Sequence, residues 1–269
     1  MPTPTVQCDS RIVNTDNRAA NHDACMHAQQ LRPLRITRRP AQTRKRHMIQ
    51  PLHTDTTPSR LVVMDIDSTL INEEVIDLLG EASGHGDLIA HITERAMRGE
   101  IDFKQALRER VALLKGLSTD VFAQVLAQTH FTDGALEFVD ECHNRGWKVG
   151  VVSGGFHEVA DSLVEQAHLD HCLANRLVVR DGHLTGEVDG DIVTKESKLA
   201  ALRTWAESDG VPMDRTVAIG DGANDIPMIL ASGIGIAFCA KPVVREAAPH
   251  SITTRDLRLA MQVIDAQAR

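Results

Sequence analysis

Three segments far apart in the chain carry polar residues of chemically competent types, and each follows a short apolar run. Asp65-Ile66-Asp67-Ser68-Thr69 follows Leu61-Val62-Val63-Met64, and Ser153-Gly154-Gly155 follows Lys148-Val149-Gly150-Val151-Val152. Gly220-Asp221-Gly222-Ala223-Asn224-Asp225 follows Thr216-Val217-Ala218-Ile219. In open parallel sheets, ligands bind outside the carboxyl ends of the strands. Three such strand ends converge on one place, and the convergence carries the argument.

Asp65, Asp67 and Asp221 at one site would repel each other unless a cation stood between them. Oxygen ligands without His or Cys suit Mg²⁺, which keeps positions for water and a substrate phosphate. Asp65 and Asp67 are two residues apart at a strand end, where the chain turns, so both can face one cavity. One carboxylate can attack phosphorus to give an aspartyl-phosphate. The other can protonate the leaving alkoxide and later activate water.

Other residues suit the same chemistry. Ser153-Gly154-Gly155 is expected to open a helix running through Val159 and Leu163, whose free N–H groups would cradle an anion. The alternative is a tight strand–helix turn with no ligand. On one helical face Phe103, Leu107 and Leu114 share their stripe with Arg110, while Arg108 lies off it. An Arg on an apolar face needs a partner or must snorkel, so Arg110 is the candidate ligand for a carboxylate or phosphate. Lys198 shares a face with Leu202 and Trp205, where it could offset phosphate charge or simply bury its stem. Glu74 opens the first helix after Asp65. It either complements that helix end or meets a substrate ammonium.

The elements that must position these groups follow from periodicity. Gly235-Ile236-Ala237-Phe238 adds a fourth apolar run, and helical patterns separate the runs, such as Leu136, Val139 and Cys142. Continuous apolar strands alternating with helices predict an α/β, doubly wound, mostly parallel sheet covered on both faces. Four short helical patterns fill residues 73–130, the third capped by Asp102 and stopped at Gly116. They read as a helical-bundle cap inserted into a core formed by residues 58–72 and 131–269. Residues 177–186 read as a β-hairpin turning at Asp181-Gly182.

Composition sets bounds. The chain has 269 residues, 42% of them hydrophobic, enough for a proper core. No apolar run approaches the ~20 residues of a membrane span. Aromatic residues are 3%, with no Tyr, which argues against stacking platforms for nucleic acid. The five Cys form no C-x-x-C pair, the 13 His show no metal spacing, and no signal peptide is visible, so a reducing, cytoplasmic setting is expected. Residues 1–57 differ from the rest. Within residues 1–47, nine Lys and Arg face three Asp, a balance of +6 that leaves −14 on the remainder of a chain of net charge −8. This stretch reads as a disordered extension or a basic arm for RNA, a membrane or targeting. The shift at Met48 also allows translation to begin there. The acidic remainder is not expected to bind nucleic acid.

The motifs resemble those of the haloacid dehalogenase-like phosphotransferases and hydrolases. Asp65-Ile66-Asp67-Ser68-Thr69 is similar to the first family motif, Ser153 to the second, Lys198 to the third, and Gly220 through Asp225 to the fourth. The match covers about residues 60–265. Asp67-Ser68-Thr69-Leu70-Ile71-Asn72-Glu73-Glu74, Val151-Val152-Ser153-Gly154-Gly155-Phe156 and Ala174-Asn175-Arg176-Leu177 bring it closest to the branch that hydrolyses O-phospho-L-serine. The resemblance implies that Asp65 is nucleophile and Mg²⁺ ligand. Asp67 would be general acid and base, its carbonyl reaching the metal, and Asp221 would complete the ligands with Asp225 in support. It further implies that Ser153, Gly154 and Lys198 hold phosphate, while Asn224 contacts it or the attacking water. Glu74 would bind the substrate ammonium and Arg110 its carboxylate, while Met97 and Phe103 would shape the closed cap. The implied reaction is the last step of L-serine biosynthesis. Many bacterial relatives carry an N-terminal amino-acid-binding regulatory domain; residues 1–57 are too short and unpatterned for one, so serine feedback through it is not expected. The same intermediate would also serve a phosphotransferase passing phosphate to an acceptor such as homoserine, or a phosphatase for another small phosphomonoester.

Overall fold

Short runs of buried, mainly apolar residues form the central strands Leu61–Met64, Thr216–Gly220 and Ile234–Phe238 of one sheet. The computed structural model describes residues 59–267; the expectations for residues 1–57, including a start at Met48, lie outside them. Seven strands stand in the order β4-β3-β2-β1-β5-β6-β7. They are β1 (Leu61–Met64), β2 (Lys148–Phe156), β3 (His171–Arg180), β4 (His183–Asp189), β5 (Thr216–Gly220), β6 (Ile234–Phe238) and β7 (His250–Ile252). All pairings are parallel except β3 with β4.

Successive side chains of a strand point to opposite faces, and the core divides accordingly. Val62 and Met64 join one cluster with Phe138, Leu163 and Ile264. These belong to α5 (Ala135–Asn144), α6 (His157–Gln166) and α10 (Arg258–Gln267). Leu61 and Val63 join another with Leu202, Ile229 and Val244, on α7 (Lys195–Ser208), α8 (Ile226–Ala231) and α9 (Pro242–Ala247). Full burial of one large side chain such as Phe138 contributes roughly 1.5–3 kcal/mol. No described helix is long and apolar enough to cross a membrane.

Four helices lie between β1 and α5: α1 (Val75–Ala82), α2 (Gly86–Met97), α3 (Phe103–Ala112) and α4 (Val121–Ala127). Asp102 caps α3 as expected, its carboxylate accepting from Gln105 N at 2.8 Å. The helix ends at Ala112, and the following turn closes at Gly116, whose φ of +88° favours glycine. The chain leaves and re-enters the core side by side. Ile71 bridges Phe131, and Asn72 N donates to His130 O at 3.0 Å.

The hairpin turns at Asp181 and Gly182, both with positive φ, which matches the right-handed twist of the strands. It also grips the turn after α3. Gly116 N donates to Leu184 O at 2.8 Å, Leu184 N to Leu117 O at 2.9 Å, and Thr119 N to Gly182 O at 2.9 Å. Three features went beyond the sequence pattern. β3 begins at His171 and pairs with β2 before it pairs with β4, and β7 is only three residues long. The second run extends to Phe156, so Ser153-Gly154-Gly155 lies within β2.

Gly233, at the entry to β6, meets the loop before β5. A Cβ there would stand 2.0 Å from Asp214 O and 2.4 Å from Asp214 C, both backbone atoms that cannot rotate away. Gly233→Ala is therefore expected to lower stability by about 1–3 kcal/mol, read as a lower urea midpoint at unchanged slope.

Candidate active site

After β1 the chain turns sharply. Asp65 N donates to Ile219 O at 3.0 Å and so continues the ladder, while Asp65 Oδ1 accepts from Ile66 N at 2.8 Å. Ser68 sits at φ +56°, a costly conformation for a residue with a Cβ. Arg255 Nη1 donates to its carbonyl at 3.1 Å. The turn folds Asp67 back: Oδ1 accepts from Val75 N at 2.9 Å and Oδ2 from Ser153 Oγ at 2.9 Å.

Lys198 is buried on the first turns of α7, behind a capping box in which Thr194 accepts from Ser197 N. Its ammonium lies 2.7 Å from Asp65 Oδ2 and 2.7 Å from Asp225 Oδ1. Asp225 Oδ2 accepts from Gly222 N at 3.0 Å. Glycine is required nearby, since a Cβ at Gly220 would come within 2.4 Å of the Asp225 carboxyl group.

The expectation that Ser153-Gly154-Gly155 opens a helix needs correction. Ser153 does not open a helix; β2 continues through Phe156 and α6 begins at His157. Ser153 Oγ instead accepts from Gly155 N at 2.7 Å while it donates to Asp67. The hydroxyl thus closes a local turn that a helix dipole does not supply. A Cβ at Gly155 would lie 2.7 Å from Asp67 Oδ2.

The insertion reaches the same place. Phe103 lies over Gly154, where a Cβ would come within 3.1 Å of its ring. Glu74 is exposed and accepts from Ser68 Oγ at 2.7 Å. Arg110 is half-buried and directs its guanidinium to Ala106 O at 3.3 Å and Thr93 Oγ1 at 3.4 Å. Both acceptors are neutral, and among the described residues it forms no ion pair. Asn224 is half-buried, with Oδ1 packed on Gly222. Met97 ends α2 with 69% of its surface exposed and is in none of the apolar clusters.

One ammonium serves several carboxylates, and the electrostatics show it. Burial, reinforced by Asp225, holds Asp65 well above the usual carboxylate range despite Lys198. Burial and then Glu74 push Asp67 to about 6, against the hydrogen bonds from Val75 and Ser153. Burial and then Asp225 push Asp221 to about 6. Burial alone would lower Lys198, but Asp225 and Asp65 outweigh it and keep the amine charged. Burial lowers Arg110, opposed by Asp77, Glu74 and Asp67.

Residues 62–230 match the family described as haloacid dehalogenase-like hydrolase. The chain belongs to the haloacid dehalogenase-like hydrolases. It is 59% identical over 205 residues to the phosphoserine phosphatase of Streptococcus thermophilus, covering 76% of this chain and 95% of that one. To the phosphoserine phosphatase of Methanocaldococcus jannaschii it is 42% identical, covering 76% and 97%. A solved structure described as a substrate-bound phosphoserine phosphatase complex matches with a TM-score of 0.72 at 42% identity, covering 76% of this chain and 97% of that one.

The acidic group at the strand ends of this haloacid dehalogenase-like fold suits a divalent cation. Asp65, Asp221 and Asp225 offer oxygens within 4.8 Å of one another; burial first, and then the charge of Asp225, raises the affinities of Asp65 and Asp221 for protons. A second grouping, His157, Asp161 and Cys172, is within 4.8 Å as well. There His157 Nε2 accepts from Ala174 N, which leaves the ring proton on Nδ1 facing Asp161. Cys142, Cys172 and Cys239 are free thiols. Sequence reasoning named no role for Asn175, Thr93 or Arg255. The available signal for Asn175 was its place in Ala174-Asn175-Arg176-Leu177, one of the segments that carry the resemblance.

The pH dependence follows from the signs. The folded protein keeps protons on Asp67 and Asp221 up to about 6, while the usual value is 3.8. These groups therefore favour folding below the lower value, and that contribution is lost as pH rises through the upper one. A divalent cation should reverse the loss. Saturating Mg²⁺, at about 100 times its Kd, is expected to raise Tm by roughly 5–10 °C at pH 7.5. The gain should shrink toward pH 5 and should be lost in Asp221→Asn, as read by scanning calorimetry.

Proposed function

We propose that the protein hydrolyses O-phospho-L-serine to L-serine and phosphate, using Mg²⁺, and so completes L-serine synthesis in the cytoplasm. The observation that carries this reading is Arg110. A half-buried guanidinium whose hydrogen-bond acceptors, Ala106 O and Thr93 Oγ1, are both neutral stands on the insertion, within the field of Asp77, Glu74 and Asp67 and without an ion pair among the described residues. Buried polar groups are normally paired, and a substrate carboxylate would complete this one by charge-assisted hydrogen bonds. Glu74, at the junction of core and insertion, would meet the substrate ammonium. Its negative charge already reaches both Asp67 and Asp221.

In this reading Asp65 attacks phosphorus in line, and the seryl oxygen leaves with a proton from Asp67. Asp67 then takes a proton from water, which attacks the aspartyl-phosphate and releases phosphate, restoring the Asp65 carboxylate. A group titrating near 6 suits both proton transfers at neutral pH. Lys198, fixed between Asp65 and Asp225, offsets the charge carried by the phosphoryl oxygens. Asp65, Asp221 and the Asp67 carbonyl would hold Mg²⁺, with Asp225 in support; when bound, it polarises the phosphoryl group and suppresses carboxylate repulsion. Ser153 and Gly154 would bind phosphate, with Asn224 beside it.

Residues 73–130 act in this proposal as a cap that excludes water from the first step and opens for release. Phe103 over Gly154 supports it; Met97 would join only on closure. The acidic body, with its few aromatic residues, supports a small-molecule substrate over nucleic acid.

The test is kcat/KM for O-phospho-L-serine beside a panel of small phosphomonoesters. A preference of at least about tenfold is expected, from the 1.5–3 kcal/mol typical of hydrogen bonds to charged groups. Arg110→Ala and Glu74→Gln should raise KM about 10–100-fold for phosphoserine alone. Asp65→Asn should abolish phosphate release, and chelation should stop turnover until Mg²⁺ is restored. Equal rates across the panel would discard the roles of Glu74 and Arg110 and leave the aspartate chemistry standing.

A further inference from the structure

The β2–β3 ladder opens beside the catalytic carboxylates. Val152 pairs with Leu173 and Phe156 with Asn175, so residues 153–155 of β2 face Ala174 alone. Backbone groups released by such an opening need other partners. His157 serves Ala174 N. Asn175, only 2% exposed, serves the opposite strand. Its Nδ2 donates to Gly154 O at 2.8 Å and to Gly155 O at 3.3 Å, and its Oδ1 accepts from Val193 N at 2.8 Å. These partners fix the amide orientation, since carbonyls only accept and backbone N–H only donates.

A trans peptide directs its C=O and N–H to opposite sides. The unit joining Gly154 to Gly155 is held at both: its oxygen by Asn175 and its N–H by Ser153 Oγ. With that lone pair occupied, the Ser153 proton goes to Asp67 Oδ2. A chain of hydrogen bonds therefore runs from Asn175 through the Gly154–Gly155 peptide and Ser153 to Asp67. The other end of the same amide holds Val193, next to Thr194, which caps the helix carrying Lys198.

We propose that Asn175 is a positioning residue for phosphoryl transfer, locking the irregular Ser153–Gly155 stretch of β2 to the start of the Lys198 helix. It touches no substrate and acts through the Gly154–Gly155 peptide. The inference rests on the phosphoryl-transfer reading of the site and is independent of which monoester is the substrate.

The experiment compares wild type, Asn175→Ala, Ser153→Ala and the double variant, well below each Tm. Substrates are O-phospho-L-serine and p-nitrophenyl phosphate; inhibitors are inorganic phosphate and L-serine. Asn175→Ala should lower kcat at least tenfold on both esters and weaken inhibition by phosphate, with inhibition by L-serine unchanged. In the Ser153→Ala background the same change should cost less than threefold, because the chain is already cut. Asn175→Ser, with a shorter donor, serves if the alanine variant does not fold. A folded variant with wild-type kcat, or losses that multiply in the double variant, would overturn the proposal. So would phosphate and L-serine binding weakened alike, which is general loosening. If wild type turns over only p-nitrophenyl phosphate, the phosphoserine reading fails, while kcat and phosphate inhibition still decide the role of Asn175.

Discussion

Lys198 is the interaction on which the site depends. Its ammonium is enclosed and touches Asp65 and Asp225 at 2.7 Å each. Taking such ions out of water is expensive, and only close, fully hydrogen-bonded geometry repays it. The geometry is supplied from every side: α7 delivers the amine, β1 delivers Asp65, and the turn after β5 delivers Asp225 with Gly222 N on its other oxygen. Charge remains unbalanced, because the ammonium is outnumbered by the carboxylates around it. That imbalance makes the place attractive to a cation, while burial and then Glu74 hold Asp67 near the pH where protons can be moved in both directions.

The sheet makes this arrangement possible. Parallel strands buried on both faces end at one edge, and polar residues placed just beyond those ends meet across the sheet. Glycines then allow the approaches that side chains would block. Gly155 admits Asp67, and Gly220 admits Asp225. Hydrogen bonds through Val75, Ser153 and Arg255 stabilise a turn whose Ser68 conformation is unfavourable by itself.

Much of this is legible in the residues. Continuous apolar runs mark β1, β2, β5 and β6, since strands covered on both faces need no alternation. The i, i+4 spacing of Phe103 and Leu107 sets Arg110 apart from Arg108, and the fold places Arg110 half-buried with Arg108 exposed. The Asp181-Gly182 turn is readable because both positions need positive φ. Three features escape. β7 has too few residues to form a pattern, and it exists because β6 offers it an edge. Ser153-Gly154-Gly155 looks like a strand end because glycine is a poor strand former, yet Phe156 pairs again with Asn175. Asn175 itself depends on which residue faces which across two strands. That register is a tertiary fact, and no local spacing reports it.

The three backbone hydrogen bonds between the turn after α3 and the hairpin have a mechanical meaning. β3 is one continuous strand from His171 to Arg180, with the hairpin at one end and Asn175 midway. The strand is paired with β2 and β4 on either side of the openings at Ala174 and between Leu177 and Val179. If the four-helix insertion swings outward, as the proposed function has it, the movement must either break those bonds or pull on the strand that grips the Gly154–Gly155 peptide. On that proposal the opening of the cap and the alignment of the Gly154–Gly155 peptide share one strand.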